Sequence, residues 1–140
     1  ICREQAVAVH VRRGDYLLPE NNRKYGNICT LQYYRNAMQY MKEKVSDARF
    51  YFFSNDPEWV RENLSEGDSV IVNCNHGKEN YLDMYLMSQC SHNIIANSSF
   101  SWWGAWLNRN PDKIIVSPKR WFSHLDVSDA VCEDWIRING

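Results

Sequence analysis

The sequence predicts an α/β domain with a mainly parallel, doubly wound sheet of the Rossmann type. Short apolar runs typical of buried strands alternate with stretches of helical periodicity over the 140 residues. Polar motifs follow several of these runs, as expected where strands end at a ligand-binding edge. This length suits one sizeable core, so we expect residues 1–140 to form a single α/β domain.

Five apolar runs are predicted as strands and the stretches between them as helices. Continuous apolar runs indicate strands covered on both faces, which favours parallel pairing through right-handed crossovers. The predicted strands are Ala6–Val11, Phe50–Phe53, Val70–Val72, Ile94–Ala96 and Ile114–Val116, and the predicted helices are Leu31–Val45, one that begins at Pro57, Tyr81–Ser91 and Phe100–Leu107. Trp102 and Trp106 share a face of the last helix and are expected to fill its interface with the sheet. The segment from Asp129 to Ile138 is predicted as a closing helix.

Capping residues indicate two helix starts. Asp56 followed by Pro57 is the pattern of an N-cap with proline at the first helical position. Ser98 or Ser99 is expected to cap the helix that follows the fourth predicted strand. A helix that begins where a parallel strand ends presents free backbone N–H groups and a positive dipole end, which together suit a phosphate.

Composition and charge exclude several classes of protein. The formal net charge is -1, so bulk electrostatics favour neither nucleic acid nor a membrane surface as a partner. The sequence contains neither the glycine fingerprint of nicotinamide dinucleotide sites nor a P-loop. The odd number of cysteines and the lack of a Cys-x-x-Cys pair favour free thiols over a disulfide framework or a zinc site; the five are Cys2, Cys29, Cys74, Cys90 and Cys132.

The first predicted strand ends in a pair of arginines, within the segment His10-Val11-Arg12-Arg13-Gly14-Asp15. Neighbouring side chains of a strand point to opposite faces, so only one of the two guanidinium groups is expected to reach a given ligand. We assign that role to Arg12, whose forked donors match phosphate oxygens, and expect Arg13 to pair with Asp15. The tripeptide Arg13-Gly14-Asp15 also matches a cell-adhesion motif, but it follows a buried strand, which disfavours an adhesion domain.

These motifs resemble those of the α-1,2-fucosyltransferases, glycosyltransferase family 11. The resemblance rests on three blocks that occur in the family's order and span most of the chain. The blocks are His10–Tyr16, Phe52–Asp56, and the run Asp83–Cys90 that leads into Asn97–Trp103.

The resemblance implies the donor-binding, C-terminal half of a two-domain glycosyltransferase of the GT-B type, which uses GDP-L-fucose and inverts the anomeric centre. It implies that Arg12 contacts the donor diphosphate and that Asp83 contacts the guanine base. The serines at the helix start, Ser98 and Ser99, would contact phosphate, with Ser99 the better fit. His10 is expected to lie beside the nucleotide.

The resemblance also suggests Glu20 as the base that takes the acceptor proton, because a related fucosyltransferase family places a glutamate at this spacing. The residues alone leave open a solvated carboxylate in the polar loop Pro19–Asn22. No Asp-x-Asp pair is present to hold a metal diphosphate. Because Arg12 and a helix N-terminus can offset the charge that develops on the β-phosphate, we expect no metal and no cofactor.

We therefore expect the chain to supply the donor-binding domain of an enzyme that transfers L-fucose to the 2-hydroxyl of a galactoside. Its expected partners are GDP-L-fucose and a galactoside glycan acceptor. We expect it to bind no nucleic acid. Peripheral association of the full-length protein with a membrane is left open. The alternative is a non-catalytic module that binds GDP or a GDP-sugar and transfers nothing.

The start of the chain suggests a fragment, because Ile1 is not Met and the first residues already approach a strand. An N-terminal acceptor domain is then expected to be missing, and the isolated fragment is expected to bind donor without turnover. The unpaired cysteines and the lack of an apolar anchor favour a cytoplasmic bacterial enzyme. A Golgi enzyme with an anchor in the missing part is the less favoured alternative.

Overall fold

A computed structural model of the chain describes residues 5–11, 31–54, 56–65, 67, 69–72, 80–96, 99–118 and 135–138. Within these ranges strands and helices alternate, as the sequence predicts. The strands are β1 (Ala6–Val11), β2 (Arg49–Ser54), β3 (Val70–Val72), β4 (His92–Ile94), β5 (Ile115–Pro118) and β6 (Ile136–Ile138). The helices are α1 (Leu31–Lys44), α2 (Pro57–Asn63), α3 (Asn80–Gln89) and α4 (Ser99–Trp106).

These strands form one parallel sheet in the order β3-β2-β1-β4-β5-β6. The chain builds outward from β1 to β3 and then returns to place β4 on the other side of β1. In this register Val9 lies opposite both Phe52 and Ile94. The order is that of the Rossmann fold, with its topological switch point between β1 and β4. The predicted doubly wound α/β class is confirmed.

Helices cover both faces of the sheet. Because successive side chains of a strand point to opposite faces, β1 contributes valines to one core and alanines to the other. The first core cluster joins Val7, Val9 and Val11 with Phe50 and Phe52 of β2, Tyr33, Tyr34, Ala37, Met38 and Met41 of α1, and Val60 of α2. On the second face Ala6 and Ala8 lie with Met87 of α3. The small alanines leave room for this helix close to the sheet.

The helices α3 and α4 pack closely on this second face. A β-carbon at Gly104 of α4 would lie 3.2 Å from both Cβ and Cε of Met87, so a larger residue there would force the helices apart. Each helix follows the carboxyl end of one parallel strand and leads to the amino end of the next. The first turns of both helices therefore lie at the carboxyl edge of the sheet.

The predicted start of α2 is confirmed. Asp56 is the N-cap, Pro57 follows at the first helical position, and the backbone N–H of Trp59 donates to Asp56 Oδ1 at 3.3 Å. This bond satisfies one of the backbone donors that a helix start leaves without an intrahelical acceptor.

Two strands differ most from the sequence predictions, whereas β2 and β5 differ by only one or two residues at their ends. β4 begins at His92 rather than at Ile94. The apolar pattern did not include His92 and Asn93, because these two residues are polar although they are buried. The prediction of a helix from Asp129 is wrong for residues 136–138, which form β6 and pair with β5. There the half-buried Ile136 and Ile138 flank an exposed arginine, which is the two-residue period of a strand. Residues 129–134 lie outside the described ranges.

The prediction for the tryptophans is confirmed for Trp102 and wrong for Trp106. Trp102 packs against the cluster that contains Ile95 and Trp135. The Trp106 ring stacks on the outside of Trp102, with centroids 5.5 Å apart, and is 53% exposed. Trp102 occupies the space next to the sheet, so its neighbour one turn later is left at the surface.

Three asparagines, two of them buried, organise the amino edge of the sheet. Asn93 of β4 is fully buried, donates from Nδ2 to the Met87 carbonyl at 2.9 Å, and accepts on Oδ1 from Asn108 Nδ2 at 2.7 Å. Asn110 Nδ2 donates to the Ser91 carbonyl at 2.9 Å. These bonds hold the segment after α4 against the start of β4, and they satisfy polar groups that would be costly to bury alone.

His92 is held at the same edge as the neutral Nε2–H tautomer. The backbone N–H of Ile114 donates to His92 Nδ1 at 2.9 Å, which makes Nδ1 an acceptor, and Nε2 lies 3.2 Å from Gln5 Oε1. Burial lowers the pKa of His92 from its ordinary value of 6.5, and the nearby carboxylate of Asp112 offsets part of this effect. A proton on Nδ1 would remove the bond from Ile114.

We expect His92 to make folding stability fall in mild acid. Because its pKa is lower in the folded than in the unfolded state, its contribution is complete above about pH 6.5 and is lost as the pH falls through the folded value. Urea unfolding at about pH 7.5 and about pH 5.5 should show a smaller loss in His92→Asn, whose Oδ1 can accept from Ile114 without titrating. Equal losses in the two proteins would contradict this assignment.

Candidate functional site

The switch point between β1 and β4 lies at the carboxyl edge of the sheet, where the strand order predicts a crevice that we call the switch-point crevice. In chain order β1 is followed by β2, its neighbour on one side, and β4 is followed by β5, its neighbour on the other. Connections that diverge in this way leave an opening that ligands occupy in open α/β sheets. Here α4 begins at Ser99, three residues after Ala96, so its N-terminal turn borders the crevice.

His10 lies at the β1 side of this crevice. Its side chain is on the same face of β1 as Ala6 and Ala8, the face that α3 and α4 cover, and it is buried. The imidazole ring lies 5.5 Å from the ring of Phe100, in the first turn of α4, with a tilt of 40°. The structure thus brings together the end of β1 and the start of α4, two features that are about ninety residues apart in the sequence.

The turn from β4 into α4 is held by Ser101. The backbone N–H of Ala96 donates to Ser101 Oγ at 3.2 Å, and this hydroxyl lies at the same distance from the Ala96 carbonyl. Ser101 is fully buried, so both bonds form away from water, where they are costly to lose. The serine fixes where the positive end of the α4 dipole points.

Asp83 lies in the first turn of α3 and is partly buried. It precedes Met87 by one helical turn, and Met87 packs on Gly104, which in turn follows Phe100 by one turn. Because both helices begin at the carboxyl edge, Asp83 and Phe100 lie in neighbouring first turns. This position is compatible with the contact to a base that the resemblance implies.

Three of the predicted site residues, Arg12, Glu20 and Ser98, lie outside the described ranges. Ser99 is the first residue of α4, and its side chain lies outside the described part of the structure. Of the predicted residues whose side chains are described, His10 lies at the crevice and Asp83 at the adjoining helix start. Their roles toward a ligand stay predictions.

Two tyrosines that were not predicted as site residues hold the floor of the crevice. Tyr34 Oη donates to the His10 carbonyl at 3.0 Å, and Tyr33 Oη donates to the Ile95 carbonyl at 2.6 Å and approaches the Val116 carbonyl at 3.4 Å. Both side chains are at most 1% exposed. Adjacent residues of α1 therefore fix the carboxyl ends of β1 and β4, the two strands that border the switch point.

The sequence contains a signal that could have identified Tyr33 and Tyr34 as residues that bond to strand ends. Adjacent residues of a helix point about 100° apart, so Tyr33 and Tyr34 cannot belong to one narrow apolar stripe. A buried tyrosine usually needs an acceptor for its hydroxyl, and strand-end carbonyls offer one. The acceptors themselves are not predictable from the periodicity of α1, because the Val116 carbonyl near Tyr33 lies 83 residues away in the sequence.

The described residues also bear on metal, thiol and membrane chemistry. No group of three or more His, Cys, Asp or Glu side chains in the described ranges is placed to hold a metal ion. Cys90 is buried and outside any disulfide, as predicted, and its thiol donates to the Leu86 carbonyl at 3.5 Å, whereas the other four cysteines lie outside those ranges. No helix in the described part of the chain combines the length and apolar character needed to cross a membrane.

Comparison with known proteins finds glycosyltransferases among the sequences similar to this chain. An O-antigen biosynthesis glycosyltransferase of Escherichia coli, WbnK, is 36% identical over 140 residues, which cover 99% of this chain and 46% of that protein. An alpha-1,2-colitosyltransferase of Escherichia coli is 39% identical over 137 residues, 95% of this chain and 47% of the relative. The galactoside alpha-(1,2)-fucosyltransferase 1 of Ateles belzebuth is 37% identical over 103 residues, 72% and 28% of the two chains.

The chain thus spans about half the length of the two bacterial relatives. No solved structure matches it. The family model described as glycosyl transferase family 11 matches residues 2–139, which is nearly the whole sequence. The match confirms the resemblance that the sequence motifs indicated. The chain belongs to glycosyltransferase family 11.

Proposed function

We propose that this chain supplies the donor-binding domain of a GT-B type glycosyltransferase that transfers L-fucose from GDP-L-fucose to the 2-hydroxyl of a galactoside. The observation that carries the proposal is the contact of His10 with Phe100. This contact places the end of β1, which leads to Arg12, beside the N-terminus of α4. A cationic side chain and the positive end of a helix at one crevice suit a diphosphate.

The names of two relatives support the proposed linkage more strongly than the proposed sugar. Both the bacterial colitosyltransferase and the primate fucosyltransferase are named for an α-1,2 linkage, but the sugars in their names differ. The match also covers a larger share of the colitosyltransferase than of the fucosyltransferase. Colitose is therefore the sugar to test beside fucose in the donor.

In the proposed reaction the acceptor 2-hydroxyl attacks the anomeric carbon from the face opposite the diphosphate. The bond from this carbon to the β-phosphate oxygen breaks, a bond to the acceptor oxygen forms, and GDP leaves with both electrons. Arg12 and the N–H groups of α4 stabilise the charge that develops on the phosphate. Glu20 is the residue proposed to take the hydroxyl proton. No step uses a metal.

Calorimetric titration of the chain with GDP, GDP-L-fucose and ADP tests donor recognition, and EDTA in the buffer tests whether a metal is needed. We expect guanine-selective binding that EDTA does not change. Asp83→Asn should weaken GDP binding about tenfold and reduce the preference for GDP over ADP, because a carboxylate accepts from the guanine edge more strongly than an amide.

Asp112→Asn is the matched control for this titration. Asp112 is an exposed carboxylate at the opposite edge of the sheet, and its loss should leave GDP affinity unchanged. Wild-type affinity and selectivity in Asp83→Asn would refute the guanine contact. In the intact protein, GDP release that depends on a galactoside acceptor would support transfer, whereas GDP binding without such release would favour the non-catalytic module.

A further inference from the structure

A second cleft lies at the amino edge of the sheet, opposite the switch-point crevice. Its volume is about 920 Å³, within the range of small-molecule sites in proteins. The start of β1, the end of α3 and the segment after α4 border it, with Gln5, Gln89 and Arg109 among the lining residues. His10 is five residues along β1 from Gln5, so the two sites are separated by roughly 16 Å of strand.

The floor of this amino-edge cleft is fixed by hydrogen bonds. Asn108 is nearly fully buried and bonded to Asn93, and Asn110 is bonded to the Ser91 carbonyl. Lys113 Nζ donates to the Asn108 carbonyl at 2.9 Å, which holds the same segment from the other side. Because these residues are already held in place, a ligand that enters the cleft does not have to order them. The free energy of binding is then reduced little by lost conformational entropy of the protein.

The rim of the cleft combines apolar faces with polar side chains. Tyr85 is 58% exposed and Leu107 is 48% exposed, although large apolar side chains are usually covered. Gln5, Gln89 and Arg109 are exposed beside them. Gln5 is oriented through its Oε1, which accepts from His92 Nε2 at 3.2 Å.

The lining indicates a neutral ligand that is rich in hydroxyl groups. Arg109 and Asp112 have opposite charges, and His92 is held neutral, so the described lining favours neither anions nor cations. Amides donate and accept at once, as hydroxyl groups do. The C–H faces of a sugar ring fit against an aromatic ring such as that of Tyr85, while its hydroxyl groups reach the amides.

We propose that the amino-edge cleft is a carbohydrate-binding site for neutral saccharides, separate from the switch-point crevice. Tyr85 supplies the stacking face, Leu107 extends the apolar surface, and Gln5, Gln89 and Arg109 bond the hydroxyl groups. The site binds sugar without reacting with it. This inference goes beyond the proposed function and does not depend on it, because it concerns a different edge of the sheet.

Titration of the ¹⁵N-labelled protein, followed by NMR, tests the proposal. The probes are lactose and maltotriose at millimolar concentrations, with glycerol as a polyol that lacks a sugar ring. We expect saturable shifts at the backbone amides of Gln89, Leu107 and Arg109 with the saccharides only. The same shifts should appear with GDP present, so a failure of the GDP proposal would be seen separately.

Two alanine variants sharpen this test. Tyr85→Ala should weaken saccharide binding about tenfold through loss of the stacking face. Trp106→Ala, which removes an exposed aromatic ring that does not line the cleft, should bind as wild type does. Absence of saturable shifts, shifts confined to residues near His10, equal shifts with glycerol, or unchanged affinity in Tyr85→Ala would overturn the proposal.

Discussion

Replacement of Arg12 by alanine is expected to lower the rate of sugar transfer by about 10²–10³-fold, the usual cost of removing one preorganised donor to developing charge. The negative charge on the β-phosphate grows as the bond to the sugar breaks, so the guanidinium stabilises the transition state more than bound donor. The loss should therefore fall mainly on kcat, with a smaller rise in KM. Steady-state kinetics of the intact protein with GDP-L-fucose measure both constants.

Arg13 provides the matched control for this experiment. It is adjacent in sequence and has the same charge, but its expected side-chain direction is toward the other face of the strand and its expected partner is Asp15. Arg13→Ala should change the rate only a few-fold. Arg12→Lys should recover part of the loss, because it restores the charge but not the two-pronged donor. Wild-type rates in Arg12→Ala, or a larger loss in Arg13→Ala, would contradict the assignment.

The sequence predicted the sheet well where strands are made of apolar residues. β1 and β3 have the predicted bounds, and β2 extends one residue further at each end. The prediction of β4 was displaced because His92 and Asn93 are buried polar residues. Their burial depends on acceptors and donors at Met87, Asn108 and Ile114, and such partners are known only after the fold is formed.

In the candidate site, the individual strand end and helix start were predictable from the sequence, but the contact between them was not. Local patterns were sufficient for the end of β1 and the start of α4, because a strand end and a helix start leave signals in a few adjacent residues. The contact between His10 and Phe100 depends instead on the switch in strand order. Strand order is set by tertiary packing, and the alternation of elements fixed the class of the sheet but not which strands are neighbours.

Removal of the two hydroxyl groups of Tyr33 and Tyr34 is expected to be the most damaging conservative change near the crevice. Each Tyr→Phe change leaves a buried carbonyl without its donor, at a cost of about 1–3 kcal/mol in the free energy of unfolding. Tyr33→Phe should cost more, because its hydroxyl lies 2.6 Å from the Ile95 carbonyl and also near that of Val116. Urea unfolding of the single and double variants measures these losses.

The tyrosines should also affect ligand binding beyond stability, because they hold the ends of the two strands between which the diphosphate is proposed to bind. Tyr40→Phe, on the same helix and only partly buried, is the control. At a temperature where all variants remain folded, GDP affinity should fall about tenfold in the double variant and stay unchanged in Tyr40→Phe. Loss of stability without loss of GDP affinity would mean that Tyr33 and Tyr34 support the fold but do not position the crevice.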